Sequence, residues 1–289
     1  MRILLLKKIL DSIVFITEKI RDLRTHLILN NSLSKRDLKI LSKNKKLHNI
    51  HKGKRGFVIA NGPSLKKMDI DFIKNEISFT VNSFFRYKNI HLWQPTYSLV
   101  LDPNLFVKAT ISDSSFYKDF ASLMPKTKLI APIFRGYKVL NKNKDLDNID
   151  IYYTSGGGSR DLDLDFCKVI PSFQGVAAYA LATAINAGCN PIYLVGFDHD
   201  YMVSRGKDKH FFEGPSIQST NKKFNEKFVD VKLSDIIPYD VELMANYKLW
   251  QDYRYLLKIA KKRGIKIYNS TAGGFLDVFE RFNFENIDK

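Results

Sequence analysis

The chain has 289 residues, long enough to bury a sizeable core in one large domain or two small ones. No run of about 18 apolar residues is present, which excludes a membrane span, and 45% hydrophobic with 26% charged residues is a globular composition. The formal charge of +16 is uneven: residues 1–55 hold fifteen Lys/Arg and four Asp/Glu, so a basic leader precedes a nearly neutral body. Cys167 and Cys189 are too few for a zinc site, and a reducing compartment without a structural disulfide is expected.

Residues 3–29 space Ile3, Leu6, Ile9, Ile13, Ile20, Leu23 and Leu27 as one helical stripe, with Lys and Arg on the other faces. A basic amphipathic helix suits an anionic membrane surface; packing on the body, or on a second copy of the chain, is the alternative. Lys7-Lys8 interrupts the apolar start and no small-residue cleavage site follows, so a signal peptide is not expected. The polar, basic stretch 31–55 reads as a linker holding a short helix. The expected division is 1–54, leader and linker, and 55–289, the main domain.

From residue 56, strands and helices alternate. Phe57-Val-Ile-Ala60 is a buried-type strand that runs into Asn61-Gly62-Pro63-Ser64, followed by a short helix near 69–75. A strand feeding a Gly-containing turn at a helix start leaves backbone N–H groups converging on one spot, which is how many proteins hold phosphate. Further strands are expected at 77–81, 96–101, 128–132, 149–153, 191–195 and 265–268. Helices are expected near 104–123, over 175–188 and over 242–263. Gly156-Gly157-Gly158-Ser159 reads as a flexible loop. The order predicts an α/β fold, an open and mostly parallel Rossmann-like sheet with helices on both faces. Residues 199–238 form a long polar excursion, read as a lid-like insertion.

In such sheets ligands bind outside the carboxyl ends of the strands. Those ends carry Asn61, Asn82, Asp102, Asp198 and Asn269. Asn and Asp favour turns in any protein, but a polar residue at nearly every strand exit also suits sugar hydroxyls and base edges. In the excursion, His210 has the residue type of a general base near neutral pH, and Tyr201 could hold a phosphate through its hydroxyl. Asp102 and Asp198 could instead hold Mg²⁺ on a triphosphate.

Val58-Ile-Ala-Asn-Gly-Pro-Ser-Leu65, Val81-Asn82 and the block from Gly175 to Asp198 together resemble two related groups. One is the MptE-like proteins, named for a 6-hydroxymethylpterin diphosphokinase; segment 269–281 also looks like their closing segment. The other is the bacterial sialyltransferase family, glycosyltransferase family 42. The resemblance spans about residues 55–280 and implies a Rossmann-like transferase. It places Asn61, Asn82, Asp102 and Gln174 on the nucleotide or sugar; the turn residues Gly62, Pro63 and Ser64, the helix start Gly175 and the strand-end Asn269 complete the expected binding set. The catalytic set it implies is His210 as base, Tyr201 beside the leaving phosphate, and Asp198. Gln174 stands where the sialyltransferases have a donor-binding Ser, and Pro171 where they have Arg, so the donor sugar is left open. The first function expected is a bacterial glycosyltransferase of surface polysaccharide or lipopolysaccharide synthesis. It would use a nucleotide sugar, perhaps CMP-linked, and a saccharide or lipid-linked acceptor, and need no metal. Its expected place is cytoplasmic, peripheral on the inner face of the membrane through residues 1–30, and a homo-oligomer is left open. The alternative is a Mg²⁺-ATP-dependent diphosphokinase with Asp102 and Asp198 on the metal; a non-catalytic nucleotide-binding module comes third. No nucleic-acid module is recognisable.

Overall fold

The computed structural model describes residues 33–106, 115–158, 160, 164–200, 210–212 and 239–287, with the isolated positions 12, 16, 17 and 20. Those four positions are helical; the rest of the expected 3–29 helix, Tyr201 and most of the 199–238 excursion lie outside the described residues.

The apolar run after Arg55 is β1 (Gly56–Ile59), buried on both faces: Phe57 and Ile59 enter one core, Val58 and Ala60 the other. Two-sided burial is what makes a parallel strand read as a continuous apolar run. Burial on both faces recurs in β2 (Ile77–Val81), β3 (Tyr97–Leu99), β4 (Lys128–Pro132) and β7 (Ile192–Val195), with Ser78, Thr80 and Ser98 buried among the apolar residues. With β5 (Ile151–Gly158), β6 (Val169–Pro171), β8 (Ile267–Asn269) and β9 (Glu280–Arg281), the described residues form a nine-stranded sheet. Its order is β6-β5-β4-β3-β2-β1-β7-β8-β9, and every neighbouring pair is parallel. The chain steps outward from β1 to β6 and then returns to lay β7 on the other side of β1. The strand order therefore reverses between β1 and β7.

Helices cover both faces. The helix α1 (Lys35–Leu41), α2 (Phe116–Leu123) and α3 (Gly136–Leu140) bury Leu41, Phe116, Phe120 and Leu140 against one face. On the other lie the Ala-rich α4 (Val176–Asn186) and the long α5 (Tyr239–Lys262). Alanine and Gly56 let α4 and the following loop lie close: a Cβ on Gly56 would stand 2.9 Å from the Cys189 sulfur.

Several expectations need correcting. The stretch read as a linker is docked on the body: Ser34 and Asp37 form a capping box at α1, a 3₁₀ turn covers Ser42–Leu47, and Leu41, Asn44 and Leu47 are buried. Asn44 Nδ2 donates to the carbonyls of Tyr153 (2.7 Å) and Phe166 (2.6 Å), tying the segment to β5. The glycine run is not a loop but the end of β5, paired to β6 with a register shift at Gly156/Gly158. The single short helix expected near 69–75 is a pair of 3₁₀ turns, Pro63–Lys67 and Asp71–Asn75. In the 104–123 stretch a 3₁₀ turn, Pro103–Phe106, precedes α2, and β6 and β9 are additional strands.

Candidate functional site

At the reversal point between β1 and β7 the crevice is filled by the protein itself. Asp198 accepts from the Ser64 amide (2.9 Å) on Oδ1 and from the Ser64 hydroxyl (2.8 Å) on Oδ2. Gly62 N–H donates to Gly196 O (3.0 Å), and Leu65 N–H to Gly62 O (3.2 Å). A side chain on Gly62 would run into the Asp198 carboxylate, and one on Gly196, at φ +73°, into the Ala60 carbonyl. The expectation that the Asn61–Ser64 turn offers its amides to a phosphate is therefore corrected: Gly62 and Ser64 spend theirs inside the fold, and Pro63 has none. Burial raises the Asp198 pKa, while the Ser64 hydrogen bonds oppose the shift.

The open cleft, of about 560 Å³, is displaced along the sheet to the carboxyl ends of β2–β5. Asn82, Asp102, Thr154, Gln174, Gly175 and Tyr179 are among its lining residues. Asn82 follows β2 at φ +45°, a left-handed conformation that Asn tolerates. Its Oδ1 is buried and unpartnered among the described residues. Asp102 follows β3 and precedes the turn at Pro103. Thr154 and Gly156 come from β5, and Gly156 leaves room for the Tyr179 phenol, against which any Cβ would collide.

The wall opposite is the β6–α4 connection. Gly175 is the N-cap of α4 and supplies no side-chain cap, so the positive end of an eleven-residue helix faces the cleft uncapped. Gln174 is anchored from behind: its N–H donates to Asp252 Oδ2 (2.6 Å), and Asp252 Oδ1 accepts from the Arg160 guanidinium. Burial pushes the Asp252 carboxyl up to about 6, opposed by the Gln174 amide and Arg160. Asp252 was not among the sequence candidates. Its signal was present, because Leu249, Asp252, Tyr253 and Leu256 form one helical face and the other three are apolar or aromatic.

The remaining candidates divide. Asn61 is buried beside the cleft strands, with Nδ2 donating to Val81 O (3.0 Å) and Oδ1 unpartnered among the described residues. His210 is half-buried, and its ring stacks on Phe212 at 5.0 Å. The next residue seats this segment on the carboxyl edge: Phe211 N–H donates to Asn61 O (3.0 Å), and its ring packs on Phe84 and Tyr87. Asn269 is fully buried and holds the closing loop, with Nδ2 to Leu276 O and Oδ1 from Thr271 N–H. It borders a separate cavity of about 600 Å³ beside Lys67 and Arg281. Of the two carboxylates expected on a metal in the diphosphokinase alternative, Asp102 lines the cleft, whereas Asp198 does not and accepts from Ser64 through both oxygens. Among the described residues no group of three or more His, Cys, Asp or Glu side chains is placed to hold a metal ion.

His199 was also missed. It adopts φ +46°, its Nε2 meets the Tyr253 hydroxyl at 2.8 Å, and burial lowers its pKa to about 4, so the ring is neutral at physiological pH.

No protein-family profile and no curated protein matches the chain. Solved structures that the chain matches include the Maf glycosyltransferase of Magnetospirillum magneticum AMB-1, at 13% identity and TM-score 0.45. That match covers 87% of this chain but only 38% of the other, so this chain spans well under half of that enzyme. The sialyltransferase CstII of Campylobacter jejuni matches at 19% identity, TM-score 0.43, over 80% of this chain and 85% of its own. The α-2,3-sialyltransferase Cst-I of the same organism matches at 17% identity, TM-score 0.43, over 82% and 83%.

Proposed function

We propose that the protein is a glycosyltransferase that binds a nucleotide-sugar donor in the cleft above β2–β5. The observation that carries this reading is the composition of that cleft. One opening gathers an amide oxygen without a partner among the described residues (Asn82), a carboxylate (Asp102) and an uncapped helix N-terminus (Gly175). Ribose and sugar hydroxyls are donors that Asn82 and Asp102 can accept, and phosphate oxygens are acceptors that the first-turn amides of α4 can satisfy. The Asn-Gly-Pro-Ser-Leu turn contributes differently from a phosphate loop: stapled to Asp198, it holds Asn61 rigidly beside the cleft.

His210 is assigned as the general base. It would take the proton of an acceptor hydroxyl as that oxygen bonds to the anomeric carbon and the bond from that carbon to the donor phosphate breaks. The docking of Phe211 on Asn61 supports this assignment, because it fixes the neighbouring imidazole at the same edge of the sheet as the cleft. Tyr201 is kept as the candidate beside the leaving phosphate, and the transfer needs no metal. The acceptor is a saccharide or lipid-linked saccharide, reached at an anionic membrane surface through residues 1–30; among the described residues no helix is long and apolar enough to cross a membrane.

Thermal-shift measurement with CMP, UDP, GDP and ATP tests the reading. One of the first three is expected to raise the melting temperature, because a ligand of the folded state stabilises it by mass action. His210→Ala is expected to keep that shift and lose turnover by roughly 10²-fold, the usual scale for a general base. A response to ATP alone, with activity abolished by EDTA, would overturn the glycosyltransferase assignment.

A further inference from the structure

At the carboxyl end of β4 the backbone turns through Arg135 at φ +64°, ψ −45°, with Gly136 N–H donating to Phe134 O at 2.8 Å. This is the γ-turn with a positive central φ, the rare and strained form, and glycine adopts it far more readily than a residue with a Cβ. Arginine occupies it nonetheless. Its side chain is exposed and has no hydrogen bond, ion pair or ring partner among the described residues, so nothing described in the fold rewards its presence.

The turn follows directly on a strand end that lines the cleft. Pro132, three residues earlier, is part of the lining, and Ile133 N–H extends the ladder to the carbonyl of Thr154, another lining residue. Gly136 packs back on Pro132, its Cβ position being 3.3 Å from Pro132 Cδ, and on Phe106 beyond the Pro103 turn. Cationic side chains are absent from the described lining, whose ionisable groups are Asp102 and Tyr179. An anionic substrate held there would meet helix amides and one carboxylate, with its charge unbalanced. Strain retained at a residue with no described structural partner is the kind that collects at ligand sites.

We propose that Arg135 is a substrate-binding residue whose strained turn presents the guanidinium at the cleft rim to an oxyanion, phosphate or carboxylate, of the bound substrate. The proposal rests on the reading of the cleft as a nucleotide-sugar site. Arginine suits the role because its planar fork matches both oxyanions in two-point hydrogen bonding.

The test uses the full chain, with Arg135→Gly and Arg135→Lys, and measures melting temperature and the affinity for UDP, CMP, UDP-glucose and UDP-glucuronate. Arg135→Gly is expected to melt higher than wild type, because the strain is released, and to bind about 10- to 100-fold more weakly, the scale for a charged hydrogen bond. Arg135→Lys is expected to retain part of the affinity. Loss against every nucleotide identifies phosphate as the partner; loss against UDP-glucuronate alone identifies the sugar carboxylate. If wild type binds none of the four and is not stabilised by GDP either, the cleft reading itself fails. If wild type binds and Arg135→Gly binds equally well, only the assignment of Arg135 fails. A lower melting temperature for Arg135→Gly overturns the strain argument.

Discussion

Asp198 and Ser64, 134 positions apart, close the point where the strand order reverses, with the carboxylate taking both the amide and the hydroxyl of the serine. In open parallel sheets that reversal is the usual place for a ligand. Here it is a structural joint, and the free volume has moved over the neighbouring strands.

The joint makes a stability prediction. Ser64→Ala removes one donor and leaves a buried carboxylate oxygen unsatisfied, at a cost of about 1–3 kcal/mol. Gly62→Ala should cost more, since its methyl group would occupy the space of the Asp198 carboxylate. Chemical denaturation of both variants checks the order. Ser64→Ala with wild-type stability would show that the joint contributes nothing.

Two buried groups titrate in opposite senses in the same pH range. Burial raises Asp252 to about 6, so its proton is bound more tightly in the folded state, and this group's contribution to stability falls as pH rises from about 4 to 6. Burial lowers His199 to about 4, so its contribution is present above its unfolded value of 6.5 and is lost as pH falls toward 4. The two therefore offset each other on acidification. Asp252→Asn is expected to make the loss of melting temperature between pH 6.5 and 4 steeper than in wild type, and His199→Gln shallower. Parallel curves for all three proteins would contradict both assignments.

The strands were legible where the chain alone decides them. Phe57–Ala60 and Ile192–Val195 are apolar runs because both faces of a parallel strand are covered, Ile77–Val81 buries Ser78 and Thr80 among its apolar residues, and Asn, Asp or Gly marks each exit. The edge strands β6 and β9, of three and two residues, are too short to show a pattern, and neighbouring strands impose them. The glycines at 156–158 resemble a linker by composition, yet Gly156 faces the Tyr179 phenol, from another element, where a Cβ would force that oxygen to move. Site residues followed the same division. Asn82 and Asp102 are polar strand exits, Gly175 is a helix start and Gln174 comes from the family resemblance alone; all four line one cleft. Asp198 and Asn269 have the same residue types, but partners distant in sequence or folded back in a loop consume their hydrogen-bonding atoms. Residue type proposes a ligand contact; the hydrogen-bond inventory decides whether any atom is left to make it.

The approach of Tyr179 to β5 makes a third prediction. Gly156→Ala would force the phenol aside and narrow the cleft, whereas Tyr179→Phe removes the colliding oxygen. The double variant is expected to recover most of the stability lost in Gly156→Ala, with a coupling of about 0.5–3 kcal/mol in a double-mutant cycle. Additive losses would mean that the contact is not what selects glycine.

The last prediction separates binding from folding at Asn82. Its backbone needs a positive φ, which Gly supplies without strain, while its buried Oδ1 has no partner among the described residues for a substrate to compete with. Asn82→Gly should therefore keep the melting temperature within a few degrees of wild type and reduce nucleotide affinity by about tenfold or more, the cost of a lost hydrogen bond in a desolvated site. Asn82→Ala keeps the strain as well as losing the amide, so it should lower both. Calorimetric titration with whichever nucleotide stabilises the wild type, alongside thermal melts of both variants, reads the two effects separately. Full affinity in Asn82→Gly would remove Asn82 from the site and leave its left-handed turn as its only role.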